Sequence, residues 1–227
     1  DIHLPNGDIY IKKHMDGVIF AGEVDIRVIE EFRKQSIPVV LVNNYLDMDG
    51  LVCISADHYG GAVQATEYLC KLGHCKIGLL SGRFSPQVSE ARIEGFVKTL
   101  AKYDIPVDDR FIADIEPALE DGEEIMTRML REVDRPTAFF CTNDTIAAGA
   151  MKAVTRAGLR VPEDIAIIGF DDSYISRVVE PELTTVRIDA AKMGCLAMQT
   201  LFDLIAGMPV EKAHIQIPTE LIVRGTA

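Results

Sequence analysis

The chain of 227 residues contains no tryptophan, and aromatic residues make up only 7% of it. Any flat ligand must therefore be stacked by phenylalanine or tyrosine. Positive charge is also short: Lys and Arg number 23 against 35 Asp and Glu, a net charge of −12. Such a balance repels a phosphate backbone instead of neutralising it, which excludes direct DNA binding by this stretch. No run approaches the roughly 18 apolar residues of a membrane span. The opening Asp1-Ile2-His3-Leu4-Pro5-Asn6-Gly7-Asp8 lacks a basic region followed by an apolar one, so it does not read as a signal peptide.

Signatures of catalysis are missing as well. There is no G-x-S-x-G, H-E-x-x-H, Walker loop, G-x-G-x-x-G or pair of C-x-x-C. An enzyme would need a nucleophile and a base within reach, and none stands out. Cys70, His74 and Cys75 come nearest to a metal cluster, but they lie where a helix ends and a strand begins, with no second pair to complete four ligands. Helix termination and strand packing account for them better, and neither a metal nor a cofactor is expected. The five cysteines (Cys53, Cys70, Cys75, Cys141, Cys195) are odd in number and mostly inside apolar runs. That pattern predicts reduced, buried thiols and a reducing cytoplasm.

What the chain does contain is a repeated alternation of short β-branched runs and helix-length amphipathic stretches, the signature of a parallel sheet with helices on its faces. Strands are predicted at 18–20, 39–42, 51–54, 77–80, 138–141 and 165–168, each apolar throughout, as strands buried on both faces are. Helices are predicted at 25–35, 59–72, 89–102, 121–132, 146–157 and 190–206. Gly73, Gly158 and Gly207 follow three of them, at positions that favour positive φ. In a sheet of this kind ligands bind beyond the carboxyl ends of the strands. The residues there are Asn43 and Asn44, Ser81 and Gly82, Thr142 to Asp144, and Asp171 with Asp172, nearly all short and able to hydrogen-bond.

Each candidate has a plain structural reading beside the functional one. Asp171 and Asp172 fit an acid/base pair or a Mg²⁺ site, yet an Asx-turn explains Asp172 as easily. One of the two is expected to face a ligand while the other caps. Asn143 can present a donor and an acceptor, with Asp144 or Thr145 as the expected helix cap, although capping alone explains the whole motif. Arg92 lies near a helix start, where a cation is unfavourable to the helix dipole; that hints at another partner, although an isolated helix arginine is usually just solvated.

From about Gly17 onward the chain resembles the effector-binding core of the LacI/GalR family. The likeness rests on a long tract: Phe140-Cys141-Thr142-Asn143-Asp144, then Gly158-Leu159-Arg160-Val161-Pro162-Glu163-Asp164-Ile165, Gly169-Phe170-Asp171-Asp172 and Pro181-Glu182-Leu183-Thr184-Thr185-Val186-Arg187. Asp16 to Ile19, Ile37 to Val40, Asp57 with Gly61-Ala62, Leu72-Gly73-His74, Arg92 with Gly95-Phe96, and Leu221 to Arg224 support it.

The resemblance implies two doubly wound α/β lobes of the periplasmic-binding-protein-like type, exchanging chain three times. These are residues 1–55 plus 188–214, and 56–187 plus 215–227. It places Asn43, Phe84, Arg92, Asn143, Asp171 and Tyr174 around a small polar effector, with Phe84, Tyr45 or Tyr174 stacking where tryptophan is lacking. It further implies a non-enzymic sensor of a sugar or sugar derivative, closing around its ligand, probing no membrane and pairing as a homodimer. Operator DNA would be met only through an amino-terminal head. That head and the first strand–helix unit of the amino lobe, about 30 residues, have no counterpart here, so the lobe is expected to be incomplete. A solute-binding protein of a sugar transporter would share the fold; five cysteines and the Val161 to Arg187 tract weigh against it.

Overall fold

A computed structural model describes residues 15–44, 46, 48, 50–210 and 213–227. In chain order its elements are β1 (Val18–Ala21), α1 (Ile26–Lys34), β2 (Val39–Val42), β3 (Val52–Ala56), α2 (His58–Lys71), β4 (Ile77–Gly82) and α3 (Pro86–Lys102). There follow β5 (Ile112–Ile115), α4 (Leu119–Met129), β6 (Ala138–Cys141), α5 (Asp144–Arg156), β7 (Ala166–Asp171), β8 (Thr184–Arg187), α6 (Ala190–Ile205), β9 (His214–Ile217) and β10 (Glu220–Ile222). The chain divides into two compact units. One takes the described residues up to Ala56 and Asp189–Ile217; the other takes Asp57–Ile188 and Pro218–Ala227.

The first unit holds a four-stranded parallel sheet ordered β1-β2-β3-β9. Helix α1 begins where Asp25 accepts from the Arg27 N–H at 2.9 Å, satisfying a donor that the first helical turn leaves open. It buries Val28, Ile29 and Phe32 against Val39, Leu41 and Cys53. Ser36, at φ 57°, turns the chain out of that helix into β2.

The second unit carries a six-stranded sheet in the order β10-β8-β7-β6-β4-β5, parallel except for the β10–β8 pair. Consecutive residues of its central strand point to opposite faces, as the pleat requires. Phe139 packs with Met126, Ala147 and Val154 on the α4–α5 side, while Phe140 packs with Leu69, Phe96 and Phe170 among the residues of α2 and α3. From β4 the chain steps outward to β5 and then returns to β6 on the other side of β4. In sheets of this kind ligands bind at such a reversal, here beyond the carboxyl ends of β4 and β6.

The expected α/β pattern is present, with corrections of detail. Strands β5, β8, β9 and β10 were not anticipated, because runs such as Ile112-Ala113-Asp114-Ile115 and Thr184-Thr185-Val186-Arg187 mix polar with apolar residues. Helices α2, α3, α4 and α5 begin at His58, Pro86, Leu119 and Asp144, one to three residues before the expected starts. Of the five cysteines only Cys53 and Cys141 are buried; Cys75 and Cys195 are exposed, Cys195 on the outer face of α6. Apolar neighbours in sequence do not bury a thiol when the helix turns it outward.

Candidate functional site

At the β4/β6 reversal the Thr142 hydroxyl accepts from the backbone N–H of Gly82 at 2.8 Å, joining the two strand ends. The Thr142 carbonyl accepts in turn from Arg92, which α3 carries inward from its second turn. Arg92 is only 3% exposed. A buried guanidinium must find partners for its charge and its five N–H groups, and it does so on several sides. One nitrogen donates to the Asp171 carboxylate at 3.2 Å, and two approach His58 Nδ1 at 3.2 and 3.4 Å. Its carbon lies 3.9 Å from the Phe170 ring centroid and 4.9 Å from that of Phe84, where the ring quadrupoles attract a cation.

Asp171 ends β7 with φ 107° and Asp172 follows with φ 51°. Both values are in the left-handed region, which costs a non-glycine residue energy that the surroundings must offset. Burial disfavours the Asp171 carboxylate and pushes its pKa up to about 6, against the pull of Arg92 and with a further push from Asp144. The side chain nevertheless keeps 34% of its surface exposed. Asp144 is buried, accepting from the Thr185 hydroxyl at 2.5 Å and from the Ser173 N–H at 2.6 Å. Its pKa is also raised by burial.

Asp172 has a different setting. It is 2% exposed and bonded to Arg224 at 2.5 Å, Arg187 at 2.7 Å and the Ser176 hydroxyl at 3.1 Å, with Arg177 at 3.6 Å. It is thus neither a free acid nor the capping residue expected.

Phe84, Arg92 and Asp171, three of the predicted residues, are brought together. Asn143 lies beside them, but its Oδ1 accepts from the Ile146 N–H at 2.8 Å, so it caps α5 itself. The cap is therefore Asn143 and not the expected Asp144 or Thr145, and Asp144 is turned inward to Ser173 and Thr185. Tyr174 starts a 3-10 turn and is 84% exposed, with no hydrogen bond or ring contact to the Arg92 group among the described residues. Asn43 belongs to the first unit, in left-handed backbone at φ 50°, with its Oδ1 accepting from Ala56 N at 3.2 Å. Asn44 is buried and donates to the Gly22 carbonyl. Tyr45 lies outside the described residues. Sequence reasoning did not name His58 or Phe170 as site residues, although Asp57 adjoins the first and the singled-out Gly169-Phe170-Asp171-Asp172 tract contains the second.

A model of the periplasmic binding protein-like domain family matches residues 66–227. The chain is 34% identical over 223 residues to the probable HTH-type transcriptional repressor ExuR of Bacillus subtilis, covering 97% of this chain and 67% of that protein. A crystal structure of a regulatory protein of the LacI family from Chloroflexus aggregans aligns with a TM-score of 0.86 at 30% identity, over 93% of this chain and 76% of that one. The transcriptional regulator CelR in complex with cellobiose aligns with a TM-score of 0.85 at 26% identity, over 95% of this chain and 67% of that one. The chain spans about two thirds of the length of the curated relatives it matches.

Proposed function

The chain belongs to the LacI/GalR family of transcription regulators, whose periplasmic-binding-protein-like core it carries, and from that premise we propose that it senses a neutral mono- or disaccharide without transforming it. The carrying observation is the Arg92–Asp171 pair at the strand reversal: a buried guanidinium holding a carboxylate side chain that keeps 34% of its surface exposed. Asp171 is the member that a ligand can reach, and a carboxylate accepts from two adjacent hydroxyls at once. Asn143 keeps its amide nitrogen as a donor beside it, since its oxygen is spent on the helix cap. The pair is neutral as a unit, which suits hydroxyl groups better than a dianion.

A sugar phosphate ranks second, because it would need more cations than the site offers. Arg83, the nearest further candidate in sequence, already pairs with Asp114 at 3.2 Å and Glu116 at 3.1 Å. A purine ranks third: it calls for two flanking aromatics, while Phe84 lies against Arg92 and Tyr174 is exposed. The cellobiose held by CelR supports the first ranking. In the intact regulator we place this sensor in the cytoplasm, coupled to operator DNA through a head outside this chain and paired as a homodimer. Exposed Tyr174 and Val178 offer apolar surface for pairing, and light scattering showing only a 25.0 kDa species at micromolar concentration would count against the dimer. Repressors among its relatives favour this reading over a transporter's solute-binding protein and over an enzyme.

Calorimetric titration with cellobiose and its phosphorylated counterpart tests the ligand class, and a thermal-shift screen of sugars, sugar phosphates and nucleobases tests the sensing role. A true effector at 100 times its Kd stabilises by about 2.7 kcal/mol. Tighter binding of the phosphorylated partner reverses the ranking. No stabilisation by any class overturns the sensor.

A further inference from the structure

His58 opens α2, is 2% exposed, and sets its ring 6.0 Å from that of Phe170, centroid to centroid. Its Nδ1 faces two guanidinium nitrogens of Arg92, at 3.2 and 3.4 Å. A guanidinium has only donors, so Nδ1 must be the acceptor and the ring proton must sit on Nε2. Arg92 is thereby gripped from three directions: the Thr142 carbonyl, the Asp171 carboxylate and the imidazole. Of these only the imidazole is a neutral side chain that can accept in one tautomer and not in the other.

We propose that His58 is the positioning residue of the effector site, fixing the rotation of the Arg92 guanidinium so that one N–H edge is held on Asp171. The Thr142 carbonyl takes one terminal nitrogen and Asp171 the other, while His58 Nδ1 meets that second nitrogen together with Nε. The imidazole therefore braces the edge of the guanidinium that is turned to Asp171, as pre-organised sites require. Protonating the ring would replace the acceptor by a second cation against Arg92. Burial first, and Arg92 second, lower the His58 pKa to about 3, so the acceptor persists through the physiological range. Among the described residues, the charged groups at the ring include Arg92 from α3 and, bonded to it, Asp171 from β7; Asp57, beside the ring in sequence, is occupied in capping α2 through the Gly60 N–H at 2.8 Å. The role deepens the sensor reading and rests on it only for the binding arm of the test.

The test uses the full chain, His58→Leu and His58→Asn, where asparagine returns an acceptor near the position of Nδ1. In ¹⁵N-correlated NMR spectra without ligand, His58 should show an unprotonated Nδ1 from about pH 8 down to about pH 5, a range in which an ordinary histidine titrates. The Arg92 side-chain N–H signals should be resolved in wild type and His58→Asn and averaged by rotation in His58→Leu. Cellobiose titration should then show affinity lowered about tenfold or more in His58→Leu, the loss of one hydrogen bond to a charged group, and mostly restored in His58→Asn. A protonated Nδ1, or Arg92 signals unchanged in His58→Leu, overturns the proposal. If His58→Leu does not fold, the wild-type tautomer still decides. If wild type ignores cellobiose, the sugar reading fails while the spectra without ligand still judge His58.

Discussion

Asp171 and Asp172, adjacent in sequence and both in left-handed backbone, divide the neighbouring cations unequally. Asp171 meets one arginine, Arg92, and stays about one third exposed; the Asp172 side chain meets Arg224, Arg187 and Arg177 and is shut away at 2% exposure. The second carboxylate ties the end of β7 to β8 and to the carboxyl-terminal segment. It thereby holds the strained turn on which the first is presented. Burial works against the Asp172 charge, but hydrogen bonds from Arg224 and Arg187 hold its pKa below the usual carboxylate range.

Removing that anchor should be costly. Asp172→Ala takes from Arg224, itself only 11% exposed, its nearer carboxylate at 2.5 Å and leaves it Glu182 at 3.5 Å. Breaking a buried ion pair from one side typically costs about 3–5 kcal/mol. Urea unfolding should register a loss of that order, and a loss below about 1 kcal/mol would show that Asp172 is not the anchor.

The helix pairs of the second unit depend on glycines for close approach. A Cβ at Gly149 in α5 would meet the Leu119 carbonyl oxygen at 2.1 Å and the Glu123 nitrogen at 2.8 Å, both main-chain atoms of α4 that cannot swing aside. At Gly194 in α6 a Cβ would meet nothing within 4 Å. Gly149→Ala should therefore destabilise by about 1–3 kcal/mol through overpacking. Gly194→Ala should stabilise by about 0.5–1 kcal/mol through helix propensity. Thermal melts of the two variants moving in the same direction would contradict this reading.

How much of this was legible in the sequence follows from which interactions are local. The buried strands 39–42 and 138–141 announce themselves, because a continuous apolar run has few other uses. Arg92 was legible too, since a cation early in a helix needs a reason. His58 was not: its function depends on α2 and α3 lying close enough for its ring to reach Arg92. That approach is permitted by Gly95, where a Cβ would come within 2.8 Å of the Ala62 side chain. The cap fell to Asn143 instead of Asp144 because both can cap, and only the tertiary partners Ser173 and Thr185 draw Asp144 away. Tyr174 was chosen for its ring, and nothing local reveals that the 3-10 turn carries it outward.

Two groups of the site should pull the pH dependence of stability in opposite directions. Asp171 has a folded pKa of about 6, above its unfolded value, so the folded state binds the extra proton and stability falls as pH rises from about 4 to about 6. His58 has a folded pKa of about 3, below its unfolded value, so the unfolded state binds the extra proton and stability rises with pH from about 3 to about 6.5. Between about pH 4 and 6 the two slopes oppose each other. Asp171→Asn should leave the His58 contribution unopposed and steepen the rise, while His58→Asn should remove that rise. Urea midpoints across this range check both signs; identical slopes in wild type and both variants would refute the assignment.

The same titration should govern ligand affinity. If Asp171 receives two sugar hydroxyls, it must be ionised to do so, because a protonated carboxyl gives up part of its accepting capacity and offers a donor instead. Cellobiose affinity should then be level above about pH 7 and fall on acidification through pH 6, by at most about tenfold per pH unit for one proton. Asp171→Asn should bind more weakly at neutral pH and lose the acid limb, because an amide does not titrate. Arg92→Lys should also bind weakly, since a lysine ammonium cannot reproduce the planar fork that meets Thr142, His58 and Asp171 at once. Each variant must first show a cooperative unfolding transition, which separates lost binding from lost fold. An acid limb that survives in Asp171→Asn would move the titrating group elsewhere, with Asp144, whose pKa is raised by burial in the same corner, the next carboxylate to replace.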